Sequence, residues 1–297
     1  MHHTSKRGFW GILCFALLFV AASNLAWAAD DFSRGLLWRI AKPAQPASFL
    51  FGTIHSEDER VLALLSEAPA KALRQADAVV IETELDEKSS AQFMSAMFFT
   101  DGQRLEHLLE PQLYQKALAA AASRGLHSQQ IATIKPWALM TMLAMPVPKT
   151  GLFLDRVVYQ TGAERGAKLG GLETPQEQID AMNGLAMNDQ IALLKETIER
   201  LDEMPELLEQ LTKAYLDRDL GRMQQLYEEY SAQSDHGAEQ RLKERILEAR
   251  NDRMVERMQP WLKSGNSFIA VGALHLPGDN GLLRQLNAMG WKVELIY

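Results

Sequence analysis

The sequence has little cysteine and no surplus of positive charge. Its single cysteine, Cys14, lies in an apolar amino-terminal segment that we expect to be removed, so disulfides and thiol catalysis are excluded for the mature protein. Lys and Arg number 31 against 38 Asp and Glu, which gives a formal charge of −7. Nucleic acid is therefore excluded as the main partner, because phosphate binding requires an excess of basic side chains.

Several motifs are also missing. No serine lies in a Gly-x-Ser-x-Gly elbow and no glycine-rich loop suited to phosphate is present, which argues against a serine hydrolase and a nucleotide enzyme. Low-complexity tracts are absent, and hydrophobic and charged fractions of 47% and 23% are typical of a globular protein. No apolar run reaches the about 20 residues that a membrane-spanning helix needs.

The first 28 residues have the pattern of a secretory signal peptide. Basic Lys6 and Arg7 precede an apolar segment from Phe9 to Ala22, and a small-x-small pattern ends at Ala28. We expect cleavage after Ala28, a periplasmic or secreted protein, and no permanent membrane span in the mature chain. Lipidation is disfavoured because Cys14 lies inside the apolar segment.

The mature chain, residues 29–297, is predicted to form one α/β domain. Strands are predicted over residues 36–41, 48–53, 78–82, 267–271 and 291–297, and residues 168–175 read as a short strand that leaves into a loop before a new helix capped near Thr174. The first two read as a hairpin, a helix is predicted over 61–75, and the apolar strand that follows it is expected to be buried and parallel to the preceding one. A large helical insert at about 86–263 divides the sheet into two halves.

A weak internal repeat indicates where the chemistry lies. Gly-x-x-His occurs at residues 52–55 and again at 272–275, each time directly after an apolar strand. In open α/β sheets, reacting groups collect beyond the carboxyl ends of the strands, so His55 and His275 are expected to share a site. Glu82 follows the intervening strand and is a third candidate, with Glu84 as its competitor on the same strand face.

Two imidazoles and one carboxylate form a suitable ligand set for a divalent metal. We therefore assign His55, Glu82 and His275 as candidate ligands of a divalent metal. The spacing of these residues in the sequence does not distinguish between Mn, Co, Zn and Fe. Water at such an ion becomes acidic enough to attack an amide or ester near neutral pH.

Three further residues are candidate participants. Asn251 shares a helix face with apolar residues and needs polar partners inside the protein, and either Asn251 or its neighbour Arg250 is a candidate oxyanion donor. Glu173 is a candidate general base, an acceptor behind the site, or a helix cap. Arg257 is expected on a solvated face, whereas His107, His127 and His236 are interpreted as structural.

The ordered motifs resemble those of the TraB/GumN family. They are Gly52-Thr53-Ile54-His55, Val80-Ile81-Glu82, Gly171-Leu172-Glu173-Thr174 with Gln178, Arg250-Asn251 with Arg253-Met254, and Val271 to Gly278 with Gly281-Leu282-Leu283. That family is grouped with the metal-dependent Tiki peptidases and with erythromycin esterase and ChaN-like proteins. The resemblance implies a two-halved α/β fold whose active site contains His55, Glu82 and His275, with Glu173, Arg250 and Asn251 in support.

The resulting hypothesis is an exported metal-dependent hydrolase, most simply a peptidase, acting on a peptide or small molecule. One alternative is a periplasmic binding protein that holds haem or a peptide without turnover, as the haem-binding ChaN branch implies. Another is a scaffold whose helical insert binds a partner. Substrate, metal identity and oligomeric state stay open at this point.

Overall fold

A six-stranded mixed sheet lies at the centre of the protein. The computed structural model describes residues 32–232 and 236–297, so the expected signal peptide lies outside the described residues. The strands are β1 Leu37–Ala41, β2 Ser48–Thr53, β3 Ala78–Ile81, β4 Lys168–Gly171, β5 Ser267–Gly272 and β6 Lys292–Leu295. Their order across the sheet is β4-β3-β5-β2-β1-β6.

Four neighbouring strands run parallel, and two complete the sheet in antiparallel pairings. β4, β3, β5 and β2 form the parallel part, β1 pairs antiparallel with β2, and β6 pairs antiparallel with β1. The predicted hairpin and the α/β fold class are thus confirmed. β3 is parallel to β2 as expected, but β5 from the far end of the chain lies between them.

Helices cover both faces of the sheet and fill most of the remaining described chain. They are α1 Glu59–Leu62, α2 Ala68–Gln75, α3 Glu87–Ala96, α4 Leu105–Leu108, α5 Pro111–Ala122, α6 Ser128–Thr133, α7 Pro136–Ala144, α8 Leu154–Glu164, α9 Pro175–Asn183, α10 Met187–Glu199, α11 Met204–Leu216, α12 Leu220–Ser231, α13 His236–Lys243, α14 Ala249–Ser264 and α15 Leu282–Ala288. Among the residues that the structure describes, no helix is long and apolar enough to cross a membrane.

Three hydrophobic clusters are present in the described residues, the smallest of them around Leu193 and Leu242. The largest surrounds the sheet, where Phe51, Val79 and Phe268 have no exposed surface. Strands buried on both faces read as continuous apolar runs, which is why β3 and β5 were recognisable from sequence. The second core is purely helical and packs around Trp137 of α7.

One element differs from the predicted pattern for a local reason. The helix predicted over 61–75 is divided into α1, a 3₁₀ turn at Ala63–Ser66 and α2, because Pro69 is accommodated only in the first turn of α2. The short strand predicted inside the helical insert is present as β4, which pairs with β3 at the edge of the sheet. The insert therefore contributes to the sheet as well as to the helices around it.

Candidate functional site

The candidate site lies where three parallel strands end at one edge of the sheet. Thr53 at the end of β2 pairs with Gly272 at the end of β5, so the two Gly-x-x-His segments leave the sheet side by side. β3 pairs with the other side of β5, and Glu82 directly follows it. The sheet thus brings residues from both ends of the chain to one location.

In both Gly-x-x-His segments other atoms approach the glycine closely, so a larger residue would have to displace a neighbour. A Cβ on Gly272 would lie 3.2 Å from Glu82 Oε1, an oxygen that the Gly272 N–H reaches at 2.6 Å. A Cβ on Gly52 would lie 3.2 Å from the Cα of Ala273. The repeat therefore serves close backbone approach, as its glycines suggested.

Glu82 is held by a set of hydrogen-bond donors. Arg250 Nη2 donates to its Oε2 at 2.5 Å and Gln178 Nε2 to the same oxygen at 3.2 Å, while Oε1 accepts from Gly272. Burial by itself would raise the pKa of Glu82, but the fields of His275 and Arg250 and these hydrogen bonds lower it to about 2. Glu82 is therefore a carboxylate at neutral pH.

Arg250 joins two carboxylates. Its Nε and Nη2 also donate to Glu173 Oε2, at 2.8 and 2.7 Å. The Glu173 side chain has no exposed surface, and its other oxygen makes no hydrogen bond within the described structure, 3.5 Å from Arg253 Nε. Thr174, not Glu173, caps α9. Glu173 therefore orients Arg250 and does not line the cavity described below.

His275 is oriented by Asn251. It lies in a 3₁₀ turn, Ala273–His275, directly after β5, and its Nδ1 is 2.6 Å from Asn251 Oδ1. The Asn251 amide nitrogen donates to Asn280 O at 2.9 Å, which places the amide oxygen toward His275. Because an amide oxygen only accepts, Nδ1 of His275 carries the proton and Nε2 has a free lone pair.

The Nε2 atom of His275 lies near the carboxylate of Glu82 but makes no hydrogen bond with it. His275 Nε2 lies 3.7 Å from Glu82 Oε1, a separation beyond hydrogen-bond range. Burial lowers the pKa of His275 to about 4 against the opposing effect of Glu82, so the imidazole is uncharged at neutral pH. At neutral pH an uncharged imidazole therefore lies beside an ionised carboxylate.

His55, the third predicted metal ligand, packs against a different part of the site from His275. Its ring packs on Phe153 with centroids 3.5 Å apart, and its side chain keeps exposed surface. Partial desolvation lowers the pKa of His55 despite the raising effect of nearby Glu82. Across residues 32–232 and 236–297, no three His, Cys, Asp or Glu side chains converge as a metal-binding group, so the structure does not bring His55 together with His275 and Glu82 as a three-ligand set.

A cavity of about 550 Å³ lies beside the pair of His275 and Glu82, and His275 is not among the residues that line it. Glu82, His55 and Gly272 line it together with Thr53 and Asp155, whereas Arg250 and Asn251 do not. The amide of Asn251 and most of the donors of Arg250 are engaged with the groups described above. Their contacts favour a positioning role over the predicted oxyanion role.

Asp155 is a site residue that sequence reasoning missed. It lies in the first turn of α8 and accepts a hydrogen bond from Thr53 Oγ1 at 2.5 Å. Burial raises the pKa of Asp155 to about 6, and the charge of Glu82 acts in the same direction. The sequence signal for Asp155 was weak, because an acidic residue in the first turn of a helix is also common where it has no functional role.

The other predicted residues take peripheral positions. Glu84 is exposed, although it lines the cavity beyond Glu82. Arg257 forms an ion pair with Glu177 at 2.7 Å and donates to Leu172 O, so it is less free than a solvated face implies. His107 and His127 are exposed and far from the cavity lining.

The fold and site define an α/β protein with a buried histidine–carboxylate pair beyond the carboxyl ends of parallel strands. The chain belongs to the TraB/PrgY/gumN family, whose family model matches residues 36–295.

Similar proteins include vertebrate enzymes. The chain is 24% identical to Metalloprotease TIKI2 of Danio rerio over 87% of this chain and 60% of that protein. It is 22% identical to Metalloprotease TIKI1 of Xenopus tropicalis, covering 96% of this chain and 68% of the relative, and 22% identical to Metalloprotease TIKI1 of Homo sapiens, covering 87% and 61%. The chain thus spans about 60% of the length of several relatives. No solved structure gives a significant match.

Proposed function

We propose that this protein is a metal-dependent hydrolase that cleaves peptide bonds. His275, Glu82 and His55 would hold the ion, and a peptide would enter the cavity that Glu82 and His55 line. The named activity of the TIKI relatives supports this reaction class. The ligand types are compatible with zinc, manganese, cobalt or iron.

The single observation that carries the proposal is the spacing of His275 and Glu82. His275 Nε2 and Glu82 Oε1 lie 3.7 Å apart, beyond hydrogen-bond range, and a cation between them would be attracted to both. Two donors each about 2.0–2.2 Å from a common ion have a separation of this order. The pair therefore fits two ligands of one cation, and His55, which lines the same cavity as Glu82, is the proposed third.

The surrounding residues keep this pair ready for a cation. Asn251 holds the proton of His275 on Nδ1, so that Nε2 is directed to the site. Arg250 and the Gly272 N–H keep Glu82 ionised and oriented. The chemistry that a divalent ion supplies when bound is acidification of water and polarisation of a carbonyl. Asp155, partly protonated near pH 6, is available in the cavity to exchange a proton.

Metal titration of the EDTA-treated protein tests the proposal. Wild-type protein should bind one Zn²⁺, Mn²⁺ or Co²⁺ by calorimetry, and His275→Ala should lose this binding while keeping its far-ultraviolet circular dichroism. His107→Ala is the matched control, because His107 is exposed and outside the cavity lining. Unchanged metal affinity in His275→Ala would reject the assignment. A peptide-library digest of the metal-loaded protein then tests cleavage.

The same experiments distinguish a hydrolase from a binding protein without catalytic turnover. A peptide-binding protein without turnover would bind library peptides but produce no cleavage products. A haem protein would develop a Soret band on titration with haem. Either result, with no cleavage at any metal tested, would replace the hydrolase proposal.

We further propose that the protein is exported. This inference depends on the basic, apolar and small-residue pattern of residues 1–28. Mass spectrometry of protein secreted from a bacterial host should find an amino terminus at Ala29.

A further inference from the structure

One wall of the active-site cavity is apolar. Leu85, Phe93, Met94, Phe153 and Pro175 line the same cavity as Glu82 and His55. Cavities that combine an apolar lining with a few polar reactive groups are typical of ligand sites. The apolar wall is therefore continuous with the site proposed to perform the reaction.

The wall depends on α3, a helix with no buried residue. α3 packs on α9, where Gln92 Nε2 donates to Gln176 Oε1 at 2.9 Å. Phe93 is anchored by an edge-to-face contact with Trp137, with centroids 5.9 Å apart. Met94, the next residue, is 56% exposed. The helix thus holds one fixed and one adaptable apolar side chain beside the cavity.

Charged residues complete the lining. Arg156, whose guanidinium carbon lies 5.5 Å from the centre of the Phe153 ring, and exposed Glu84 both border the cavity. A small apolar molecule would make no polar contact with either charge. A peptide offers an apolar side chain together with polar backbone groups, and it matches the complete lining.

We infer that the wall formed by Leu85, Phe93 and Met94 is a specificity subsite for a large apolar side chain, such as leucine or phenylalanine, next to the bond that is cleaved. This inference rests on the proposed peptidase function for the position of the bond, but not for the binding preference. Transfer of a leucine side chain from water to such a wall is expected to strengthen binding at least about tenfold relative to alanine.

Fluorescence anisotropy of labelled peptides tests the subsite without turnover. Fluorescein-labelled Gly/Ser hexapeptides with Leu, Phe or Ala at one position are titrated with EDTA-treated protein. We expect Leu or Phe to bind at least about tenfold more tightly than Ala, and Met94→Lys to reduce this preference to about twofold or less. Met94→Leu should restore it.

Met289→Lys is the matched control, because Met289 is likewise exposed, at 46%, but does not line the cavity. It should leave the preference unchanged. Equal binding of Leu and Ala peptides by wild-type protein, or a full preference in Met94→Lys, would overturn the subsite. If the preference is present but metal-loaded protein cleaves nothing, the proposed hydrolysis fails and the subsite stands. Cleavage without any side-chain preference would instead support the hydrolysis and overturn the subsite.

Discussion

Replacement of Arg250 by glutamine should destabilise the protein more than any other single loss of charge at this site. Arg250 is 12% exposed and pairs with Glu82 and with Glu173, whose side chains are 21% and 0% exposed. Removal of one partner from a buried ion pair costs about 3–5 kcal/mol, because the remaining charges lose their compensation. We therefore expect Arg250→Gln to lower the free energy of unfolding by about 3 kcal/mol or more.

The pH dependence of this loss follows from Glu82. In wild-type protein the pKa of Glu82 is about 2, below its ordinary value of 4.5, so its favourable contribution is present above pH 4.5 and disappears toward pH 2. Without Arg250 the opposing effect of burial dominates and the pKa rises. The difference between variant and wild type should therefore be largest near pH 8 and smaller near pH 4.

Urea unfolding of EDTA-treated protein, followed by circular dichroism, measures both effects. Arg257→Gln is the matched control, because its ion pair with Glu177 is more exposed, at 41% and 26%, and should contribute only about 0–1 kcal/mol. A loss below about 1 kcal/mol in Arg250→Gln, or the same loss at pH 8 and pH 4, would refute the argument that Arg250 compensates buried carboxylates.

Two further substitutions test other parts of the site. Asp155→Asn should stabilise the EDTA-treated protein at pH 8 by up to about 3 kcal/mol. The pKa of Asp155 is about 6 in the folded protein and 3.8 ordinarily, so the folded state loses stability as the pH rises from about 4 to about 6. Asparagine carries no charge and avoids this loss. Urea unfolding at pH 8 and pH 4 should show this gain only at the higher pH, and an equal gain at both would contradict it. Asn251→Leu should weaken metal binding about 10–100-fold in calorimetry, because His275 would no longer be held with its proton on Nδ1. An unchanged affinity would show that the Asn251 contact does not direct Nε2.

Local patterns were sufficient to place the main chain around the site. The buried strands β2, β3 and β5 are short apolar runs, and each ends at a polar or glycine-containing motif. Parallel strands present their carboxyl ends at one edge, so Glu82 and the two histidines were predicted to lie near one another. Glu82 and His275 do so, at 3.7 Å. Arg250 and Asn251 were identified from their motif, while their partners were not.

The partners depend on contacts that no local pattern contains. Arg250 lies 168 residues from Glu82, and Asp155 is 102 residues from Thr53. Whether an arginine faces a cavity or a carboxylate is set by how α14 packs against the sheet, where it contacts β5, and sequence spacing carries no information on that packing. For the same reason the hydrogen bonds of Arg250 to Glu82 and Glu173 were not foreseen, and its oxyanion role stays a prediction.

The sequence by itself determined the strands, the glycine-histidine repeat and the acid that follows β3, because side-chain alternation and apolar runs are local properties of the chain. Tertiary structure alone decided that β5 separates β2 from β3, that Asp155 joins the cavity, and that His275 faces Glu82 with its lone pair. These features arise from sheet order and side-chain packing between distant segments, where burial sets both the charge and the orientation of each group.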